Sequence, residues 1–178
     1  MIRMATVDDA AAVAGIYRPY VDGTVISFEV VPPTADEMRA RISAVLARLP
    51  WLVDESDGQV VGYAYASAHH ARAAYQWSVD TAVYVHQDCH RRGIGRRLYE
   101  RLFSLLVRQG YVNAYAGITL PNAKSVGLHE SLGFSPDGVY RHVGYKFGEW
   151  HDVGWWHLAL RPLPATPQPP VALPDLEA

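Results

Sequence analysis

Cysteine is almost missing from this 178-residue chain: Cys89 stands alone, so no internal disulfide can form. No CxxC or Cys/His ligand spacing is present either, and neither a metal site nor a redox role is expected. Charge is also scarce. Charged residues make up 19% of the sequence, against ~25% in ordinary soluble domains. Sixteen basic and eighteen acidic side chains nearly cancel, leaving a net charge of −2. That balance argues against a protein that coats nucleic acid by counterion release. No apolar run approaches the ~18 residues of a membrane span, and Met1 to Asp9 lacks the charged-then-apolar pattern of a leader. No membrane partner is expected, and the cytoplasm is the expected location. Hydrophobic residues are plentiful at 49%, enough for one domain of the usual ~100 to 200 residues with its own core.

Periodicity orders that domain. Ile2 to Ala5 reads as a strand, and Thr6 with Asp9 as a capping box opening a helix that Pro19 should end or bend. Thr34 with Glu37 opens a second helix, carried by Met38, Ile42, Val45, Leu46 and Leu49 up to Pro50. Strands at 51–54 and 59–67 flank the polar turn Glu55-Ser-Asp-Gly58, the pattern of a hairpin. A strand at 77–85 follows. From Ile94, Leu98, Leu102, Leu105 and Leu106 share one helical face, and Gly110 supplies the stop. A strand at 111–119, a helix at 122–132 closed by Gly133, and strands at 139–147 and 153–160 complete residues 1–161. Six prolines fall in residues 162–178, which are expected to be an extended or disordered tail.

The chemistry concentrates where the strand ending at Val85 meets the long helix, in His90-Arg-Arg-Gly-Ile-Gly95. Glycines let backbone amides approach an anion, the helix N-terminus offers unpaired N–H groups, and Arg91, Arg92, Arg96 and Arg97 add positive charge. A solvated basic turn has the same composition. Leu98 occupies the third-glycine position of a dinucleotide fingerprint, and no Gly-Lys-Ser/Thr is present for a P-loop. Downstream, Asn122-Ala-Lys-Ser125 opens a helix that runs through His129 to Gly133-Phe134.

These two motifs resemble those of the GNAT superfamily of N-acetyltransferases, with His90 standing where Arg or Gln is usual. Trp51-Leu-Val53, Ala74-Tyr-Gln-Trp77, Val83-Tyr-Val85 and Trp150-His-Asp-Val-Gly-Trp155 are similar to the phosphinothricin branch over nearly all of residues 2–160. The resemblance implies a single α/β domain with a mixed, splayed sheet, and acetyl transfer from acetyl-CoA in a ternary complex. It implies an acceptor that is the α-amino group of phosphinothricin or a methionine sulfoximine/sulfone analogue, and a homodimer. Val83, Tyr84, Val85, residues His90 to Gly95, Asn122 and Ser125 would hold the cofactor. Ile94 belongs to that set as part of the turn.

An α-ammonium must lose a proton before its nitrogen can attack a thioester. Asp80, on a strand face with Ser78 and Ala82, occupies the place of the branch's acidic catalytic residue, which is usually Glu. His129, one turn beyond Ser125, can act as base or as acid to the departing sulfur. The Val85 N–H is expected to polarise the thioester carbonyl. Phe28, His70, Arg72, Tyr75, Tyr99 and Val153 are expected around the acceptor, with the planar fork of Arg72 suited to a carboxylate or phosphinate. Two other classes stay open: a non-catalytic acyl-CoA sensor and a peptide or protein N-acetyltransferase.

Overall fold

In a computed structural model, which describes residues 1–176, a mixed seven-stranded sheet is covered by helices on both faces. Its strands are β1 (Ile2–Met4), β2 (Trp51–Ser56), β3 (Gln59–Ala68), β4 (Ser78–Val85), β5 (Asn113–Leu120), β6 (Ser135–Lys146) and β7 (Glu149–Ala159). They lie in the spatial order β1, β2, β3, β4, β5, β7, β6. Only β4 and β5 run parallel; every other pair is antiparallel.

Alternation along the strands divides the core. Leu52, Ala64, Ala66 and Val79 point to α3 (Ile94–Gln109), whose Leu98, Leu102, Leu105 and Leu106 are all buried. Trp51, Val53 and Tyr63 point the other way, to α1 (Ala10–Gly23) and α2 (Ala35–Leu46). The residues between β5 and β6 form α4 (Ala123–Ser131), beside α3. Each layer follows the period read from the sequence: two for the strands, 3.6 for α3.

Three local expectations change. Helix α1 continues through Pro19 to Gly23. Proline removes one bond, to the carbonyl four residues back, and that residue is the exposed Gly15, whose carbonyl can face water. The hairpin turn narrows to Asp57-Gly58, both at positive φ of 53° and 76°, so β2 extends to Ser56. β6 begins at Ser135, ahead of the expected 139.

The proline-rich segment is extended and tied down. Trp77 Nε1 donates to Gln168 O at 2.8 Å, and Val171 N donates to Gln109 O at 2.8 Å. The buried amide of Gln109 returns a bond to Val171 O, also at 2.8 Å. Leu173, 8% exposed, is buried, and its N–H donates to Arg48 O at 2.9 Å. Residues 177 and 178 lie outside the described residues.

Candidate active site

The parallel pair at the centre of the sheet comes apart. β4 and β5 are in register only at Ser78 with Asn113, Val79 with Ala114 and Asp80 with Tyr115. At the fork, Thr81 Oγ1 donates to Tyr115 O at 3.2 Å, and beyond it the strands separate. On its other edge β4 stays paired to β3 as far as Val85. His86 N donates to Val61 O at 2.8 Å, and strand alternation therefore turns the N–H and C=O groups of Val83 and Val85 into the gap. The gap is lined by residues 81–84 of β4, residues 116–118 of β5, and Ser125 and His129 of α4.

The glycine turn closes one end. Arg91 and Gly93 both take positive φ, 63° and 73°, and Gly93 caps α3. The left-handed position suits Gly93 and strains Arg91. A Cβ on Gly95 would stand 3.2 Å from Leu128 Cδ2, so glycine is what lets α3 and α4 approach at the mouth of the gap. The four arginines divide by role. Arg97 donates to Arg92 O and to the buried Asp54 carboxylate, both at 2.9 Å. Arg96 is held by Ser131 at 2.8 Å. Arg91 and Arg92 are exposed and, among the described residues, have no side-chain partner. His90 folds back: Tyr20 Oη donates to Val85 O at 2.6 Å and accepts from His90 Nε2 at 2.9 Å. Tyr20 was not among the expected site residues, because α1 is far from the turn in sequence.

On α4, Asn122 caps the helix by accepting from Ser125 N at 3.1 Å. His129 is 4% exposed, and both ring nitrogens are spent. Nδ1 lies 2.8 Å from Ser125 O, which can only accept, so Nδ1 carries the hydrogen. Nε2 then accepts from Tyr99 Oη at 3.0 Å. Burial pushes the His129 pKa down and keeps the ring neutral, and burial pushes the Tyr99 hydroxyl up. Tyr99, expected as an acceptor wall, is wholly buried, lines the gap and holds His129.

Asp80 sits at the fork on the opposite sheet face. Burial raises its carboxyl above the ordinary value, and a hydrogen bond from His69 pulls the other way. His69 Nδ1 is 2.6 Å from Asp80 Oδ1. His70 and Tyr75 adjoin it, their rings 4.7 Å apart, and Arg72 projects from the same loop, exposed. Val153 is on the same sheet face, in register with Thr119. Phe28 lies further along, its ring against Gly144 and 6.2 Å from His151. Trp155 lies over Gly117, where a Cβ would meet the ring at 3.4 Å. Its Nε1 is buried and has no partner among the described residues.

A sheet forked beside a glycine turn at a helix N-terminus, with a half-buried carboxylate at the fork, is an arrangement suited to an acyl thioester and an amine. The comparison with known families agrees: residues 2–155 match the acetyltransferase (GNAT) domain, and the chain belongs to that family. It is 43% identical over 168 residues to a phosphinothricin N-acetyltransferase of Streptomyces viridochromogenes, covering 94% of this chain and 91% of that one. It is 36% identical over 160 residues to an L-methionine sulfoximine/L-methionine sulfone acetyltransferase of Salmonella typhimurium, covering 89% and 94%. A phosphinothricin acetyltransferase from Sinorhizobium meliloti, solved in complex with acetyl-CoA, superposes with a TM-score of 0.91 at 32% identity, covering 98% of this chain and 96% of that one. The chain is thus an acetyltransferase with a single-domain α/β fold.

Proposed function

We propose that the chain transfers the acetyl group of acetyl-CoA to the α-amino group of a small amino-acid analogue, of the phosphinothricin or methionine sulfoximine/sulfone type. The parting of β4 from β5 directly after Asp80 carries this reading, because it sets an acidic group beside a gap lined by unpaired backbone amides. Acetyl-CoA supplies the activated acyl carbon. The residues fit it: the turn from Arg91 to Gly95 for the diphosphate, Val83 and Val85 main chain and the Asn122–Ser125 corner for the pantetheine arm, with Tyr84 lining the same passage.

Polarising the acyl carbonyl needs an N–H close to the acidic group. Val83 is three residues from Asp80, about 10 Å along a strand, whereas Val85 is five residues and about 17 Å away. We assign the donor to Val83 in place of Val85, and leave Val85 to the pantetheine amides. The ammonium proton leaves toward Asp80, directly or across an intervening group. His129 donates nothing to sulfur in this scheme, since its one N–H is bonded to Ser125 O; with Tyr99 it shapes the wall of the passage.

Arg72, His70 and Tyr75 offer cation and aromatic surface for an anionic acceptor, and the unspent Trp155 N–H is a further donor facing the same side. Val153 and Phe28 extend that wall. Tyr140, Val143, Tyr145, Phe147 and Trp150, each more than half exposed on the β6–β7 hairpin, support a homodimer built on that hairpin, which sedimentation at micromolar concentration tests. No helix among the described residues is long and apolar enough to cross a membrane, which supports a cytoplasmic location that fractionation of expressing cells tests.

The test of the activity is thiol release from acetyl-CoA with phosphinothricin, methionine sulfoximine, methionine sulfone and a short peptide as acceptors. Turnover on the amino acids supports the proposal. Turnover on the peptide alone makes the chain a peptide acetyltransferase, and tight binding without release makes it a sensor.

A further inference from the structure

Asp80 holds a side chain that the scheme above leaves without a role. Its Oδ1 stands 2.6 Å from Nδ1 of His69, the residue that follows β3. A carboxylate only accepts, so Nδ1 carries the hydrogen, which leaves Nε2 as the nitrogen that can hold a lone pair. Packing fixes the ring plane: it stacks on Tyr115 at 4.5 Å and 18°, and meets Trp155 edge-on at 6.0 Å. Among the described residues nothing hydrogen-bonds Nε2. His129 is the opposite case, with both nitrogens occupied. Of the two histidines flanking the fork, His69 alone has a lone pair to offer, and it stands on the face that carries Arg72, Tyr75 and Trp155.

We propose that His69 is the catalytic base of this chain, taking the acceptor's ammonium proton on Nε2, with Asp80 as the positioning residue that holds the ring and stabilises the imidazolium. The inference rests on the acetyl-transfer reading and refines it. One ammonium N–H bond breaks as Nε2–H forms. The freed nitrogen pair makes the C–N bond to the acyl carbon and the C–S bond breaks. The second surplus proton on nitrogen goes to the thiolate, and the imidazolium returns its proton to solvent. An ammonium and a thioester thus give an amide, a thiol and one proton.

Aspartate at position 80 suits this arrangement. Its short side chain ends at the imidazole, and the imidazole adds the reach that a carboxylate touching the amine itself would need. The titratable groups facing the pair are Tyr65 on β3, Tyr115 on β5 with Asp137 beyond it, His157 on β7 behind Tyr115, and His70 and Tyr75 from the loop after β3. Burial raises the Asp80 carboxyl and the His69 hydrogen bond opposes it, and once ionised the carboxylate attracts a cationic ring.

His69→Asn and His69→Ala test the assignment. The Asn amide can donate to Asp80 as Nδ1–H does, yet it has no basic lone pair. We expect His69→Asn to lose about 10²-fold or more in kcat, to bind acetyl-CoA in calorimetry as the parent does, and to shift the acid limb of the pH–rate profile. Added imidazole should restore part of the turnover of His69→Ala. Parental kcat and pH profile in His69→Asn overturn the proposal. So does a loss that leaves the pH profile unmoved and that imidazole does not rescue, which is the signature of a merely structural residue. A parent enzyme that releases no thiol with any acceptor sinks the acetyl-transfer reading and this assignment together, whereas an active parent with an indifferent His69→Asn sinks this assignment alone.

Discussion

His129 and His69 are ordinary imidazoles in composition and opposites in setting. Helical spacing puts His129 four residues after Ser125, where its Nδ1–H finds a carbonyl, and Tyr99 closes the other nitrogen. Burial lowers its folded pKa, so on acidification the unfolded chain takes the proton first. The stability contributed by the neutral ring is therefore complete above the unfolded value of about 6.5 and is lost as pH falls below it toward the depressed folded value. The urea midpoint should fall between about pH 8 and about pH 5, and His129→Gln should fall less steeply, by at most ~1.4 kcal/mol per pH unit. Equal slopes in the two proteins would contradict the burial of a neutral ring. Tyr99 follows from the same packing. Its spacing on α3 marks a helix position that can face either core or pocket, and only the docking of α4 decides that it holds His129.

Among the elements, the glycine turn is where sequence and structure meet most closely. Amphipathic spacing defined α3 because Ile94, Leu98, Leu102, Leu105 and Leu106 serve one core, and Gly110, at φ 98°, ends it as a residue without a Cβ can. Division of labour among the turn's arginines was not legible, since Arg96 and Arg97 are claimed by Ser131 and Asp54 from distant parts of the chain. Exposed and unclaimed, Arg91 and Arg92 should bind the diphosphate equally in ground and transition states. Arg91→Ala with Arg92→Ala should then raise KM for acetyl-CoA about tenfold or more while kcat changes little; a kcat loss at unchanged KM would reassign them. Strand alternation placed Asp80 on the correct face, but His69 lies just past β3, where periodicity stops and only the β3–β4 register brings it to the carboxylate. Local propensity left open whether Pro19 ends or bends α1 and whether the proline-rich segment is extended or disordered. An exposed Gly15 carbonyl accommodates the first, and contacts with Gln109, Arg48 and Trp77 order the second.

At the scale of the molecule, helices on both faces hold a sheet that is continuous except at its centre, where β4 and β5 share three register pairs and then part. That parting turns a structural sheet into a site. It exposes main-chain amides on one side of Asp80, while the His69, Arg72 and Trp155 surface lies on the other. Cores on both faces pack against the seven strands on either side of the fork. Calorimetric titration of the purified chain with acetyl-CoA tests that picture most directly. It should show one acetyl-CoA bound per chain, with affinity sharply reduced in the Arg91→Ala, Arg92→Ala protein. A parent chain that takes up no acetyl-CoA would contradict the account at its root.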